Sequence, residues 1–114
     1  MIIDKFKSIF LGLEIAYGQY QPGERGDNGK QKGKAFIVRG QVTDELWSNH
    51  LAGKGPALGI IPITEDNSCR WGCIDIDEYN FDHTSFIKSI RDHKLPLIVC
   101  RSKSGGAHVF LFTK

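Results

Sequence analysis

The chain has 114 residues, 40% hydrophobic and 25% charged, which is enough apolar material to bury one modest core and excludes a disordered tail. Fifteen lysines and arginines against 13 aspartates and glutamates leave a net charge of +2, too small by itself to establish a nucleic-acid partner. No apolar run approaches the ~20 residues that cross a bilayer, and the N-terminus has no signal-peptide core, so no membrane partner and a cytoplasmic location are expected.

Taken in chain order, Ile3, Phe6, Phe10, Leu13 and Tyr17 recur at helical spacing, which predicts a first helix from about Asp4 to Tyr17 with an apolar stripe. The segment from Gln21 to Arg39 then sets Arg25, Lys30, Lys32, Lys34 and Arg39 against only Glu24 and Asp27, interleaved with glycines. It reads as a mobile positive loop. Either it clamps a template backbone, with Tyr17 and Tyr20 available for base stacking, or its lysines only keep a solvated loop soluble. A short strand is expected from Lys34 to Gly40, followed by a helix with Thr43 as N-cap ending near Gly53. Ala57 to Ile63 and Arg70 to Asp77 are expected to pair antiparallel across the polar turn Thr64 to Ser68. Asp82 caps a helix to about Lys94 whose Phe86, Ile87 and Ile90 face the sheet, and a final hairpin joins the run Leu95 to Cys100 to the run Val109 to Phe112. This order predicts an α+β fold in a single domain over 1–114, with a mostly antiparallel sheet and helices on one face.

Two motifs carry chemistry. In Trp71-Gly72-Cys73-Ile74-Asp75-Ile76-Asp77-Glu78, strand alternation puts Asp75 and Asp77 on one face with Ile74 and Ile76 behind them. Like charges that close favour a cation between them, and oxygen ligands suit Mg²⁺ or Mn²⁺ holding a phosphate; the alternative is a strand running into a solvated acidic turn. The second motif is Arg101-Ser102-Lys103-Ser104-Gly105-Gly106-Ala107-His108. Its centre reads as a tight turn whose backbone N–H groups can cradle an anion, with Arg101 and Lys103 adding positive charge and His108 an imidazole. A hairpin with a basic, solvent-facing tip is the competing reading, as is an apolar row in which His108 only continues Phe110 and Phe112. Three cysteines without an export signal make disulfides unexpected, and Cys69-x3-Cys73 lacks a second close pair for zinc, so the cysteines are expected as small core residues.

Together, Asp75-x-Asp77 and Gly106-Ala107-His108 resemble the paired motifs of the archaeo-eukaryotic primase superfamily. The likeness is nearest to the primase domains of bacterial conflict systems and CRISPR-associated primase-polymerases, where the first motif follows a segment like His50-Leu51-Ala52-Gly53-Lys54 and Leu58-Gly59-Ile60-Ile61-Pro62-Ile63. It covers the second half of the chain well and the first half loosely. The resemblance implies an RRM-like palm and a metal-dependent nucleotidyltransferase acting on nucleoside triphosphates and a single-stranded DNA or RNA template. Asp75 and Asp77 would bind Mg²⁺ or Mn²⁺, and with His108 they form the implied catalytic set. His108 would also contact the triphosphate, alongside nucleotide-binding Arg101, Ser102, Lys103, Ser104 and Gly106.

The superfamily's third carboxylate follows the histidine motif, and Asp82 and Asp92 precede it, so the chain is expected to be a partial catalytic domain completed by the remainder of a longer polypeptide or by a partner chain. On its own it would bind metal weakly and polymerise poorly. The alternative is a catalytically inactive relative that binds nucleotide or nucleic acid in a defence or replication assembly. A metal-dependent nuclease using Asp75, Asp77 and Glu78 is a third reading.

Overall fold

A computed structural model describes residues 2–25 and 31–113, and the chain divides into two compact units after Cys69. The first unit contains α1 (Ile2–Ile9), β1 (Ala16–Arg25), β2 (Gln31–Arg39), α2 (Asp44–Leu51) and β3 (Ala57–Gly59). Its strands form a three-stranded antiparallel sheet in the order β2-β1-β3.

The first helix stops at Ile9, well short of the expected Tyr17, and the rest of the stripe belongs to a loop and to β1. Close approach of two backbones decides this. Leu13 N–H donates to the Ile61 carbonyl at 2.8 Å, and a Cβ on Gly12 would collide with that same oxygen. Tyr17, paired with Val38 in the β1–β2 ladder, is buried, so its helical spacing from Leu13 reflects burial rather than helix. The expected loop from Gln21 is likewise corrected: Gln21–Arg25 and the segment from Gln31 are strands of one antiparallel ribbon, while Lys30 lies outside the described residues.

Thr43 caps α2 as expected, its hydroxyl oxygen accepting the Leu46 N–H, and the helix ends at Leu51 ahead of Gly53, whose φ of +70° suits glycine. His50 at its end accepts the Leu58 N–H on Nδ1 at 3.0 Å, which ties the helix to β3. β3 pairs with Gly18–Tyr20 of β1 and not with the Asp75 strand, correcting the expected hairpin. What survives of that hairpin is its turn, closed by Thr64 N–H to the Ser68 carbonyl at 2.9 Å, and a single bridge between Ile63 and Cys69.

The second unit contains β4 (Trp71–Ile76), α3 (His83–Asp92), β5 (Leu97–Arg101) and β6 (Ala107–Phe112), with an antiparallel sheet in the order β4-β6-β5. Central β6 supplies the core: Ala107 and Val109 are buried, as is Ile90 of α3. Burying a side chain like Val109 is worth about 1.5–3 kcal/mol. The α+β class and the antiparallel pairing are as expected.

Asp82 caps α3, taking the Ser85 N–H at 3.0 Å on one oxygen and the Ser85 hydroxyl at 2.8 Å on the other. Those two donors hold its carboxyl below the usual carboxylate range. A depressed folded value means the cap stabilises above the unfolded pKa and loses that contribution as pH falls through the folded one. The melting midpoint of the wild type is therefore expected to drop more steeply below about pH 4 than that of Asp82→Asn. Parallel profiles in a melting series across pH would exclude this role.

Candidate functional site

Residues directly opposite in a ladder share a face. In the second unit one row runs Cys100, His108, Asp75 across β5, β6 and β4, and the rows beside it are Ile98, Phe110, Cys73 and then Phe112, Trp71. The opposite face carries buried Ala107 and Val109 with Ile74, Ile76, Leu97 and Val99. Asp75 and His108 thus stand on the outer face of their sheet. Their side chains are 72% and 46% exposed, and His108 Nε2 lies 3.5 Å from Asp75 Oδ1, an ion pair when the ring is protonated.

The reading of His108 as a mere extension of an apolar row holds only in part. Its ring does meet the edge of Phe110, with centroids 6.3 Å apart, but it is half-exposed and its other neighbour is a carboxylate. Beside it, partial burial raises the Cys73 thiol, and Asp75 and Cys100 add smaller repulsions. The expectation that the cysteines are core residues is corrected: Cys69, Cys73 and Cys100 are exposed. Alternation decides this, because a cysteine in step with Asp75 or opposite His108 shares their outer face.

The turn between β5 and β6 is built around Gly106. Ser102 N–H donates to the Gly106 carbonyl and Gly105 N–H to the Ser102 carbonyl, each at 3.1 Å, so two of the turn's N–H groups are used internally. Gly105 has φ +94°, which glycine accommodates. Gly106 is needed for a different reason, since a Cβ there would collide with the Ile76 carbonyl oxygen of β4. The Asp75 strand and the turn are therefore in backbone contact. Ser102 and Ser104 hydroxyls lie 3.4 Å apart at the tip, where Lys103 and Ser104 are exposed.

Not every expected site residue joins this group. Arg101 is opposite Ala107, which places it on the face away from His108. Asp77 is exposed and lies just past the end of β4, and Glu78 follows it. Among the described residues no group of three His, Cys, Asp or Glu side chains converges to hold a metal ion. Exposed Asp75 and Asp77 are hard oxygen donors of the kind Mg²⁺ and Mn²⁺ take, so the set fits such an ion in kind and is short in number. Asp82 is occupied as a cap and Asp92 pairs with Lys88 at 2.9 Å. Tyr17 is buried, and Tyr20 lies against Gly33, where a Cβ would meet its ring, which corrects the expectation that both tyrosines are open to bases.

His83 belongs to neither sequence motif. Its Nε2 lies 2.7 Å from the Gly106 carbonyl oxygen, 23 residues away along the chain. No spacing rule marks such a contact; its one sequence signal is that the Asp82 cap fixes His83 as the first residue of α3.

Residues 3–114 match the family model of the archaeo-eukaryotic primase domain of TOTE conflict systems. No curated protein and no solved structure matches the chain significantly. Among the described residues no helix is long and apolar enough to cross a membrane.

Proposed function

The chain belongs to the archaeo-eukaryotic primase domains of TOTE conflict systems, and from that membership we propose that it is the nucleotide-handling part of a metal-dependent primase-polymerase of a defence system. The observation that carries this reading is the placement of the Asp75 carboxylate 3.5 Å from the His108 imidazole on an exposed sheet face, with Gly106 of the glycine turn packed against the same strand.

In this proposal Asp75 and Asp77 hold Mg²⁺ or Mn²⁺. That ion, when bound, neutralises polyphosphate charge and favours in-line displacement by a primer or initiating hydroxyl. His108 donates from its ring to a phosphate oxygen, and Asp75 beside it orients the imidazole. Ser102, Lys103 and Ser104 meet the remaining phosphate oxygens from the turn. Arg101, which leaves its strand on the other face, is the least favourably placed of the expected contacts.

A single-stranded template is proposed to follow the β1–β2 ribbon. Lys32, Lys34 and Phe36 alternate along one face of β2 and are exposed, with Gln19 opposite Phe36 and Gln21 opposite Lys34. Cations spaced along a strand suit a phosphate backbone, and an exposed ring among them suits base stacking.

The lack of any group of three metal-ligating side chains among the described residues favours a second version, in which catalysis requires a carboxylate from elsewhere and the chain alone only captures nucleotide. Calorimetry with Mn²⁺ and a nucleoside triphosphate, paired with a labelled-nucleotide incorporation assay on single-stranded DNA, separates the two. Capture at least ~10-fold tighter with Mn²⁺ than with chelator is expected in both. Incorporation marks the catalytic version, and its absence the capture-only one. Equal binding with and without metal would sink both, and release of nucleotides from a labelled strand without any triphosphate would point to a nuclease.

A further inference from the structure

The geometry points to His83 as the positioning residue of the Ser102–Gly106 turn, holding the Gly106 carbonyl from the start of α3 so that the tip and His108 meet a triphosphate in one arrangement. The hold on the turn stands on contacts alone; its consequence for a triphosphate rests on the nucleotide-binding reading above.

A carbonyl oxygen only accepts, so at 2.7 Å the His83 Nε2 must carry the proton and donate. The ring is itself fixed. Its residue opens α3 immediately after the Asp82 cap, and its edge meets Phe81 with centroids 5.1 Å apart, while Phe81 in turn packs against Phe86 at 5.3 Å. The Gly106 oxygen also takes the Ser102 N–H at 3.1 Å, so both of its lone pairs are used.

The β5–β6 ladder and the Ser102–Gly106 bond already close the hairpin. What the imidazole adds is orientation. It ties the hairpin's last glycine to α3 at the point where that glycine touches the Ile76 carbonyl, one residue before Asp77. The Gly106 peptide is thus the junction of the acidic strand, the helix and the turn, and His83 is the side chain that holds it there.

The test uses the full chain and two variants, His83→Ala and His83→Gln, the second of which can donate an N–H from a similar position. Amide exchange reads the turn directly. In His83→Ala the Ser102 and Gly105 amides should exchange about 10-fold faster while the Ile74 and Val109 amides keep their protection, and His83→Gln should restore most of the difference. In calorimetry with Mn²⁺, His83→Ala should bind a nucleoside triphosphate about 10-fold more weakly with Mn²⁺ affinity unchanged, again with rescue by glutamine. Unchanged Ser102 exchange in His83→Ala, or equal impairment in both variants, overturns the assignment. Altered exchange in a protein whose wild type binds no triphosphate leaves the hold on the turn intact and defeats the nucleotide reading.

Discussion

Gly106→Ala is expected to destabilise the second unit by about 3 kcal/mol and to abolish triphosphate capture with it. Inserting one methyl into a packed site typically costs about 1–3 kcal/mol, and the upper end applies because the obstacle is backbone. The new Cβ would run into the Ile76 carbonyl oxygen and come within 3.3 Å of the Ser102 hydroxyl. A side chain could rotate away. Here relief requires opening the β4–β6 ladder at Ile76 and Ala107, which shifts the two strands that hold Asp75 and His108 in register. Gly105→Ala is the control: its φ of +94° strains an alanine, but nothing lies within 4 Å of the added methyl. Urea denaturation should show the Gly106 variant with a much lower midpoint, and Gly105→Ala with a loss nearer 1 kcal/mol. Equal stability of Gly106→Ala and wild type would remove the case for backbone contact at this point.

Local chemistry was legible where it is self-contained. Thr43 and Asp82 announce their helices because a short polar side chain before an apolar repeat satisfies backbone donors two or three residues on, without help from elsewhere in the fold. The closing hairpin was readable for the same reason: two apolar runs flank a glycine turn, and strand alternation then puts His108 in step with Phe110 and Phe112. Misreadings arose where partners are distant. Leu13 and Tyr17 sit at helical spacing from Phe10, yet Gly12 must lie against Ile61, a constraint from a residue far along the chain. Proximity in the sequence points β3 to the strand after it, whereas its partner is the distant Gly18–Tyr20 stretch of β1.

The candidate site divides the same way. Asp75 and His108 were each found by motif, and their pairing follows from a register that no single segment specifies. Proximity in the sequence groups Arg101 with His108, whereas the parity of β5 sends it to the other face. Cys100, which residue type alone would place in the core, is opposite His108. His83 was invisible because its partner is a main-chain carbonyl, and carbonyls carry no sequence signature.

Removal of the Asp75 charge should separate function from stability most cleanly. Its side chain is 72% exposed and its ion-pair partner is an imidazole at 3.5 Å, so the fold has little to lose: Asp75→Asn should keep the wild-type melting midpoint to within about 2 °C. Function should respond differently, because an amide of the same shape lacks the negative charge that draws a hard cation. Mn²⁺-dependent triphosphate affinity is expected to fall on the order of 100-fold, and nucleotide incorporation, where it is present, by at least that much. His108→Ala should weaken triphosphate binding about 10-fold without altering Mn²⁺ affinity, since its proposed contact is to phosphate. If the two side chains act on one bound nucleotide, the double variant should lose less than the two single losses combined, as for groups sharing a network. Independent, additive losses would mean that Asp75 and His108, adjacent as they are, serve separate ligands. Unchanged Mn²⁺-dependent binding in Asp75→Asn would remove the carboxylate from the site altogether, leaving an acidic strand edge with no part in nucleotide capture.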